Sequence, residues 1–407
     1  MPSSLRIALL LAIAVPLDAA HAADWPQWRG PDENGISVEA LPAEPDFENI
    51  AWLTQVGIGF SSLAVVDGRL FTMGHTRGEE TVWCLDAKTG DILWSDTYAA
   101  PLIDRFYEGG PGSTPTVRAG KVYTYSKHGR LHCYDASSGK RLWDRDMMAE
   151  AGLREHPEWG FACSPYFIGD RLLLIEAGAT FALNPTDGKV IWKGEIFTPA
   201  YGTPVSFPHG DRLLVAVIKT EGLVVLDSKD GKTVATAPWE TSFNTSSNTP
   251  IVDGDRIFIS TGYDRGCALF QLKNNKLEKL YEKQLMSNHM NNCVLIDGHL
   301  YGFDGTAHRG RPTEFVCMEL ATGIENYRVP PKSGLGCGSL MADASGSLLI
   351  LSERGELLSA PATPKEFEWK TRAQVLGGRC WTVPVLSNGM IYCRNAEGDL
   401  AAISLQP

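Results

Sequence analysis

Residues 85–94 read LDAKTGDILW, a stretch that recurs along the chain. An apolar strand runs into Asp86, a Thr-Gly turn follows, and a second strand closes on Trp94. Gly90 supplies the positive φ that such a turn needs, and an Asp side chain accepts hydrogen bonds from the N–H groups of the turn. Related stretches are YDASSGKRLW, which ends at Trp143, and FALNPTDGKVIW, which ends at Trp192. Each stretch predicts a β-hairpin whose second strand carries an indole.

Another hairpin precedes each of these stretches, with a glycine between two apolar runs, as in VVDGRLF and LSNGMIY. The glycines in this position, spaced 41 to 52 residues apart, are Gly68, Gly120, Gly169, Gly210, Gly254, Gly298, Gly346 and Gly389. Four strands in every period of about 40 to 50 residues is the signature of a β-propeller blade. The sequence therefore predicts an all-β fold, an eight-bladed β-propeller of four-stranded antiparallel blades.

The eighth repeat contains one hairpin around Gly389 and a third strand, DLAAISL. The segment ENIAWLTQV, residues 48–56, precedes the first repeat and places Trp52 as Trp94 is placed in the first blade. We expect residues 48–56 to complete blade eight, because an N-terminal strand in this position closes the ring and leaves no free blade edge. Residues 23–407 then form a single propeller domain.

The first 22 residues have the pattern of a secretory signal peptide. Arg6 precedes an apolar run, residues 7–15, that is too short to span a bilayer, and Ala20-His21-Ala22 fits a cleavage site. The first cysteine is Cys84, so no cysteine at the cleavage site accepts a lipid. We expect a periplasmic or secreted protein with no transmembrane segment in the mature chain.

The formal net charge of −11 comes from 37 Lys and Arg residues against 48 Asp and Glu residues. An acidic chain without a basic run does not bind nucleic acid or an anionic bilayer through charge. We expect a monomer whose partner is an unidentified envelope protein or a small molecule.

Nine cysteines are present, with no C-x-x-C motif and no adjacent pair. Cys84, Cys133 and Cys317 recur at one position of the repeat, where other repeats have Val or Phe, so they behave as small buried hydrophobes. Cys337 and Cys380 occupy matching places in successive repeats and are the best candidates for a disulfide.

The pattern D-A-x-x-G-x-x-x-W after an apolar strand resembles the repeat of the pyrroloquinoline quinone (PQQ) propeller superfamily. The match is strongest at residues 86–94, 135–143 and 184–192 and weak in blades five to seven. The N-terminal ADWPQWRGP is similar to that of secreted bacterial PQQ-like repeat proteins. The resemblance implies that the turns dock neighbouring blades against each other, through Asp86, Gly90, Trp94, Asp135, Gly139, Trp143, Gly188 and Trp192.

The resemblance leaves two functions open, because the superfamily includes quinoprotein alcohol dehydrogenases and also the propeller lipoprotein of the outer-membrane protein assembly machinery. The first is an exported non-catalytic scaffold without a cofactor. The alternative is a PQQ-dependent oxidoreductase of an alcohol or sugar, which needs Ca²⁺ and a carboxylate base. The adjacent cysteine pair of the alcohol dehydrogenases is missing here, which favours the first function. We assign no catalytic residue and no metal ligand.

Candidate ligand-binding residues lie in the segments that lead into the innermost strand of each blade, because these segments open on one face around the central channel. Two of them are long, residues 97–113 and 147–161, and we expect a third long loop at 302–314 in blade six. Their side chains predict a site for a polar, partly planar molecule or, alternatively, the lining of a water-filled channel. The candidates are Arg105, Tyr107, Glu108, Glu158, Trp159, Tyr201, Asn248, His289, Asn291, Asn292, Arg379 and Trp381.

Overall fold

The structure, a computed structural model, describes residues 23–307 and 309–406. The expected signal peptide, residues 1–22, lies outside the described residues. Among the described helices, none is long and apolar enough to cross a membrane.

Thirty-two strands are found in the described part of the chain. The first sixteen are β1 (Ile50–Gln55), β2 (Ala64–Val66), β3 (Arg69–Thr76), β4 (Glu79–Asp86), β5 (Ile92–Ala99), β6 (Thr116–Arg118), β7 (Lys121–Tyr125), β8 (Arg130–Asp135), β9 (Arg141–Asp146), β10 (Tyr166–Ile168), β11 (Leu172–Ala177), β12 (Ala179–Leu183), β13 (Val190–Lys193), β14 (Val205–His209), β15 (Arg212–Ile218) and β16 (Gly222–Asp227).

The second half of the chain continues this series. Its strands are β17 (Thr233–Pro238), β18 (Ile251–Asp253), β19 (Arg256–Thr261), β20 (Gly266–Lys273), β21 (Lys276–Lys283), β22 (Val294–Ile296), β23 (His299–Thr306), β24 (Arg309–Glu319), β25 (Glu325–Val329), β26 (Ser339–Ala342), β27 (Ser347–Leu351), β28 (Glu356–Pro361), β29 (Thr371–Gln374), β30 (Val385–Ser387), β31 (Met390–Arg394) and β32 (Asp399–Ser404). A short helix α1 (Met147–Ala151) and two 3₁₀ turns (Ser242–Asn244 and Pro331–Ser333) interrupt the strands.

These strands form eight four-stranded antiparallel sheets in a propeller ring, as the repeats predicted. Strands β2 to β5 make blade one, and each following group of four consecutive strands makes the next blade up to β29. Blade eight has the order β1-β32-β31-β30, so the N-terminal strand closes the last blade. The eight hairpin glycines all have φ between +56° and +79°, the region that only glycine enters at little cost.

Contacts between neighbouring blades follow one rule at four consecutive interfaces. The indole N–H of Trp94 in blade one donates to the Ala136 carbonyl of blade two (3.0 Å), and its ring covers Gly139. The same contact joins Trp52 to Gly90, Trp143 to Gly188 and Trp192 to Gly231. In each turn a side-chain oxygen accepts backbone N–H groups, as the Asp86 carboxylate does from Lys88 and Thr89. We call this indole, turn and covered glycine a clip.

Tyrosine replaces tryptophan between blades five and six, where Tyr281 covers Gly323 and donates to the Leu320 carbonyl (2.8 Å). Trp369 of blade seven ends a similar repeat but is 46% exposed, and its ring contacts Phe367 and Arg372 of its own blade. The described apolar core is divided into clusters that each span neighbouring blades, so the blades are held together by packing between them.

Two expectations of the sequence are wrong. Cys337 and Cys380 form no disulfide, and all nine cysteines are free and buried. Glu353 lies between the two segments, because its carboxylate accepts the Cys337 N–H while its carbonyl accepts the Cys380 N–H. The expected long loop at 302–314 is instead a long hairpin, since β23 runs to Thr306 and β24 starts at Arg309.

Candidate functional site

A cavity of about 340 Å³ lies at the centre of one face of the ring. It is lined by the segments that lead into the innermost strands of seven blades, one to six and eight. Lys127 and Tyr263, from loops between second and third strands, and Trp28, from the N-terminal segment, complete the lining. We call this cavity the cup. It is a shared site, because seven blades and the N-terminal segment contribute to it.

The wall of the cup is mainly aromatic. Its rings are Trp28, Phe60, Phe106, Tyr107, Trp159, Tyr201, Phe243, Tyr263 and Trp381. Phe60 stacks on Trp381 with centroids 5.5 Å apart and planes at 28°, and it contacts Tyr107 on its other side at 5.5 Å. On the opposite side of the cup, Tyr263 contacts Phe243 at 5.1 Å. Such arcs of rings present flat apolar surfaces of the kind that stack on a planar ligand.

Among the described lining residues of the cup, Lys127 is the only lysine or arginine, and none is a carboxylate. Its Nζ donates to the Tyr107 hydroxyl (2.6 Å) and to the Trp159 carbonyl (2.7 Å), which links two lead-in segments. Burial lowers the pKa of Lys127 to about 8, and the nearby carboxylate of Glu80 acts in the opposite direction. Glu80 is itself buried behind the wall, where burial raises its pKa and the Tyr98 hydroxyl donates to it.

Two phenylalanines stand at the mouth of the cup in unusual backbone conformations. Phe106 is 72% exposed with φ +70°, and Phe243 is 52% exposed with φ +62°. A left-handed conformation costs a bulky residue about 1–2 kcal/mol, which other contacts of each loop have to offset. Both rings line the cavity, so this backbone places two large apolar side chains in solvent at its opening.

Six of the twelve residues predicted from the sequence come together in the cup. They are Tyr107, Trp159, Tyr201, His289, Asn291 and Trp381. Asn291 also donates through Nδ2 to the Gly338 carbonyl (3.0 Å), which ties blade six to blade seven.

The four charged candidates pair with one another outside the cup. Arg105 forms an exposed ion pair with Glu158 beside a shallow groove that also contains His128 and His156. Arg379 bonds to Glu108 at 2.7 Å and lies 4.5 Å over the ring of Trp381, so this pair supports the cup wall from behind.

The remaining two asparagines connect lead-in segments of blades five and six. Asn248 donates through Nδ2 to the carbonyls of Ser260 and Asn288. Asn292 bonds both backbone groups of Thr249, donating from Nδ2 at 2.6 Å and accepting at Oδ1 at 3.1 Å. Their contacts are structural. Within the described residues, no group of three or more His, Cys, Asp or Glu side chains is placed to hold a metal ion.

The sequence did not identify several residues of the cup, among them Trp28, Phe60, Lys127 and Tyr263. Phe60 stands in a lead-in segment, so the rule that identified Tyr107 also applied to it. Lys127 follows a strand in SKHG, a turn pattern with nothing to mark a buried amine. No local signal identifies Trp28, which reaches the cup from outside the blades.

Comparison with known proteins agrees with this architecture. The family model PQQ_2, described as outer membrane protein assembly factor BamB, matches residues 38–211 and 78–329. The chain belongs to this family.

Two curated relatives of this chain have names that point to different roles. The outer membrane protein assembly factor BamB of Burkholderia pseudomallei is 25% identical over 267 residues, 60% of this chain and 61% of that protein. The quinohemoprotein alcohol dehydrogenase ADH-IIG of Pseudomonas putida is 27% identical over 164 residues, 37% of this chain and 21% of that protein. The match therefore covers less than two thirds of either relative.

Among solved structures, the quinohemoprotein alcohol dehydrogenase of Comamonas testosteroni superposes with a TM-score of 0.67 at 13% identity. The superposition covers 96% of this chain and 81% of that one. At this identity, the likeness shows the shared propeller fold and nothing about activity.

Proposed function

We propose that the chain is an exported, non-catalytic propeller of the cell envelope that binds a small planar molecule, neutral or negatively charged, in the cup. The composition of the described lining residues carries this proposal, since they include nine Phe, Tyr and Trp side chains, one lysine and no carboxylate. Flat apolar walls favour stacking on a planar ligand, and an ammonium group in a site of low dielectric favours an anion over a cation. A volume of about 340 Å³ suits a small ligand.

The proposed envelope location is supported by two independent observations. Residues 1–22 have the pattern of a signal peptide. A relative is named for outer membrane protein assembly, which also supports an envelope protein as an additional partner. If a protein were the sole partner, pull-downs from the envelope fraction would recover it while the cup bound no small molecule.

PQQ-dependent oxidation is the second function, because a quinohemoprotein alcohol dehydrogenase is among the relatives. The stacked rings of the cup suit a planar quinone, and Lys127 suits one of its acidic groups. The rest of the chemistry does not fit, since Ca²⁺ takes several oxygen ligands and alcohol oxidation needs a base, whereas none of the described lining residues is a carboxylate. We therefore derive no oxidation step.

A charge series of one ring system tests the proposal. Titration calorimetry with 2-naphthoate, 2-naphthamide and 2-naphthylmethylammonium should show saturable binding of the anion and the amide, and at least tenfold weaker binding of the cation. Lys127→Met should bring the anion down to the amide without changing the affinity for the amide. Binding of none of the three, or preference for the cation, would contradict the proposal.

A second titration separates the two functions. PQQ is added to the purified mature protein with and without Ca²⁺, together with an assay of dye-linked alcohol oxidation. The binding proposal expects any PQQ affinity to be independent of Ca²⁺ and no turnover. Ca²⁺-dependent binding with alcohol oxidation would establish the quinoprotein alternative instead.

A further inference from the structure

The segment before the first blade enters the ring along its axis from the face opposite the cup. Ala23 bonds the side chain of Asn388, in the hairpin turn of blade eight, and Leu41 bonds Asp343, in the corresponding turn of blade seven. Both ends of the segment therefore lie at the turns that follow the innermost strands. We call residues 23–41 the plug.

The plug touches the innermost strands, or the residues directly before them, of seven blades. Its backbone pairs Trp25 with Val65 of blade one and Ile36 with Ala342 of blade seven. The other five contacts are Pro26 with Val117 of blade two, Glu33 with Tyr166 of blade three, Trp28 with Thr249 of blade five, Arg29 with Cys293 of blade six and Ser37 with Leu386 of blade eight. A segment with this set of partners fills the channel.

The tip of the plug is a compact turn that holds its own shape. Arg29 is buried and donates to the carbonyls of Glu33, Asn34 and Cys293, and burial lowers its pKa to about 10. Trp25 is 2% exposed and covers Gly30, where a Cβ atom would lie 2.8 Å from the indole ring. These contacts use only plug residues and one blade carbonyl, so the turn is rigid when docked.

Trp28 stands at this tip and lines the cup. Its indole Nε1 donates to Thr249 Oγ1 (3.0 Å), and Thr249 is the residue that Asn292 clamps at the start of blade five. Arg29 beside it reaches Cys293, directly before the innermost strand of blade six. The tip thus ends level with the tops of the innermost strands, at the depth where the cup ends.

We propose that Trp28 is the floor of the cup and the residue that determines how long a ligand the cup accepts, with the plug sealing the channel below it. This inference rests on the proposed function, since it concerns the same site. Lead-in segments form the walls, whereas depth is set by a side chain from outside the blades. Removing the indole should let a longer planar acid enter along the axis.

Two linear acids that differ by one fused ring test the depth, naphthalene-2-carboxylate and anthracene-2-carboxylate. We expect Trp28→Ala to change the ratio of their affinities at least tenfold in favour of the three-ring acid. Trp159→Ala is the matched wall variant, and it should weaken both acids alike and leave the ratio within twofold. Trp369→Ala, an exposed tryptophan distant from the cup, should change neither affinity.

The outcomes separate this inference from the function on which it rests. If the unsubstituted protein binds neither acid, the proposed function fails and the depth role fails with it. If it binds them but Trp28→Ala leaves the ratio within twofold, only the role of Trp28 is overturned. Should Trp28→Ala not fold, as judged by far-ultraviolet circular dichroism, Trp28→Phe decides, with a smaller shift of the ratio in the same direction expected.

Discussion

The clips and the cup use the same aromatic residue types for two different purposes, stability and ligand binding. At a clip, the indole of Trp143 is 9% exposed, covers Gly188 and donates its N–H to the Pro185 carbonyl. In the cup, Trp159 meets Tyr201 edge-on at 5.9 Å and also lines the cavity. An aromatic side chain whose face and N–H are both satisfied within the fold contributes stability. One that lines a cavity is available to a ligand.

This contrast explains why the repeat does not distinguish the relative named for alcohol oxidation from the relative named for outer membrane protein assembly. The D-A-x-x-G-x-x-x-W pattern specifies contacts at the outer part of the ring, such as those between Trp94 and Gly139. The chemistry of the centre depends on the lead-in segments, which are not part of this pattern. Resemblance in the clip is therefore information about the ring, and function has to be judged from the cup.

The largest expected effect is the loss of a clip indole. Trp143→Ala should lower the free energy of unfolding by about 3–5 kcal/mol, because it removes a buried ring and leaves a cavity between two blades. Trp159→Ala in the cup should cost about 1 kcal/mol or less while weakening naphthoate binding about tenfold, since a stacking contact is worth about 0.5–1.5 kcal/mol. Urea denaturation measures the free energy of unfolding, and calorimetry measures the affinity for naphthoate. Equal losses of stability in the two variants would show that the clips and the cup do not differ in this way.

The covered glycine offers a sharper comparison within the hairpins. Gly139 and Gly120 both have φ +70°, but a Cβ atom at Gly139 would lie 2.6 Å from the Trp94 ring, whereas at Gly120 it meets nothing within 4 Å. Both Ala variants carry the left-handed penalty of about 1–2 kcal/mol, and Gly139→Ala should lose about 1–3 kcal/mol more through overpacking. Equal losses in urea denaturation would show that the glycine serves the turn alone.

A pH titration distinguishes the cup from the clips, because the clips contain no buried amine. Lys127 has its pKa lowered to about 8, so its ammonium form is largely present at pH 7 and largely lost at pH 9. The affinity for 2-naphthoate should therefore fall about tenfold between these pH values at low salt, while the affinity for 2-naphthamide stays level. Lys127→Met should abolish the pH dependence, and a dependence that persists in this variant would assign it to another group.

The smallest effect is expected for charges close to the cup that do not line it. Arg105→Ala breaks an exposed ion pair with Glu158, so it should change stability by less than about 1 kcal/mol and naphthoate affinity by less than twofold. Glu158→Gln serves as the matched control and should behave alike. A tenfold loss of affinity in Arg105→Ala alone would place the guanidinium in the binding site.

The architecture was predictable because its rules are local. A turn glycine, an acceptor such as Asp86 and an indole such as Trp94 lie within nine residues of one another, so each copy of the pattern reports one hairpin. Counting hairpins then predicts the blades, and the spare strand with Trp52 predicts the closure. Where the repeat is degenerate, as at Trp369, its local pattern does not reveal that the indole stays exposed.

The cup was predictable only in part. Lead-in segments follow from the fold, so aromatic residues such as Tyr107 and Trp381 were expected near the axis, and both line the cup. Whether a charged side chain faces the cup or another charge depends on partners far apart in the chain, as for Glu108 and Arg379, which are 271 residues apart. No spacing rule links such residues, so the sequence did not reveal their pairing.

The amino-acid pattern thus specified eight blades, the clips where the repeat is intact and the closing strand, because these contacts are made within a hairpin or between adjacent repeats. The depth of the cup, its buried amine and the plug were specified by the assembled ring. Trp28 meets Thr249 across 221 residues of sequence, and Lys127 loses its hydration only when lead-in segments of several blades surround it. Burial at the axis and contacts between residues far apart in sequence arise only when the ring closes, so no single repeat determines them.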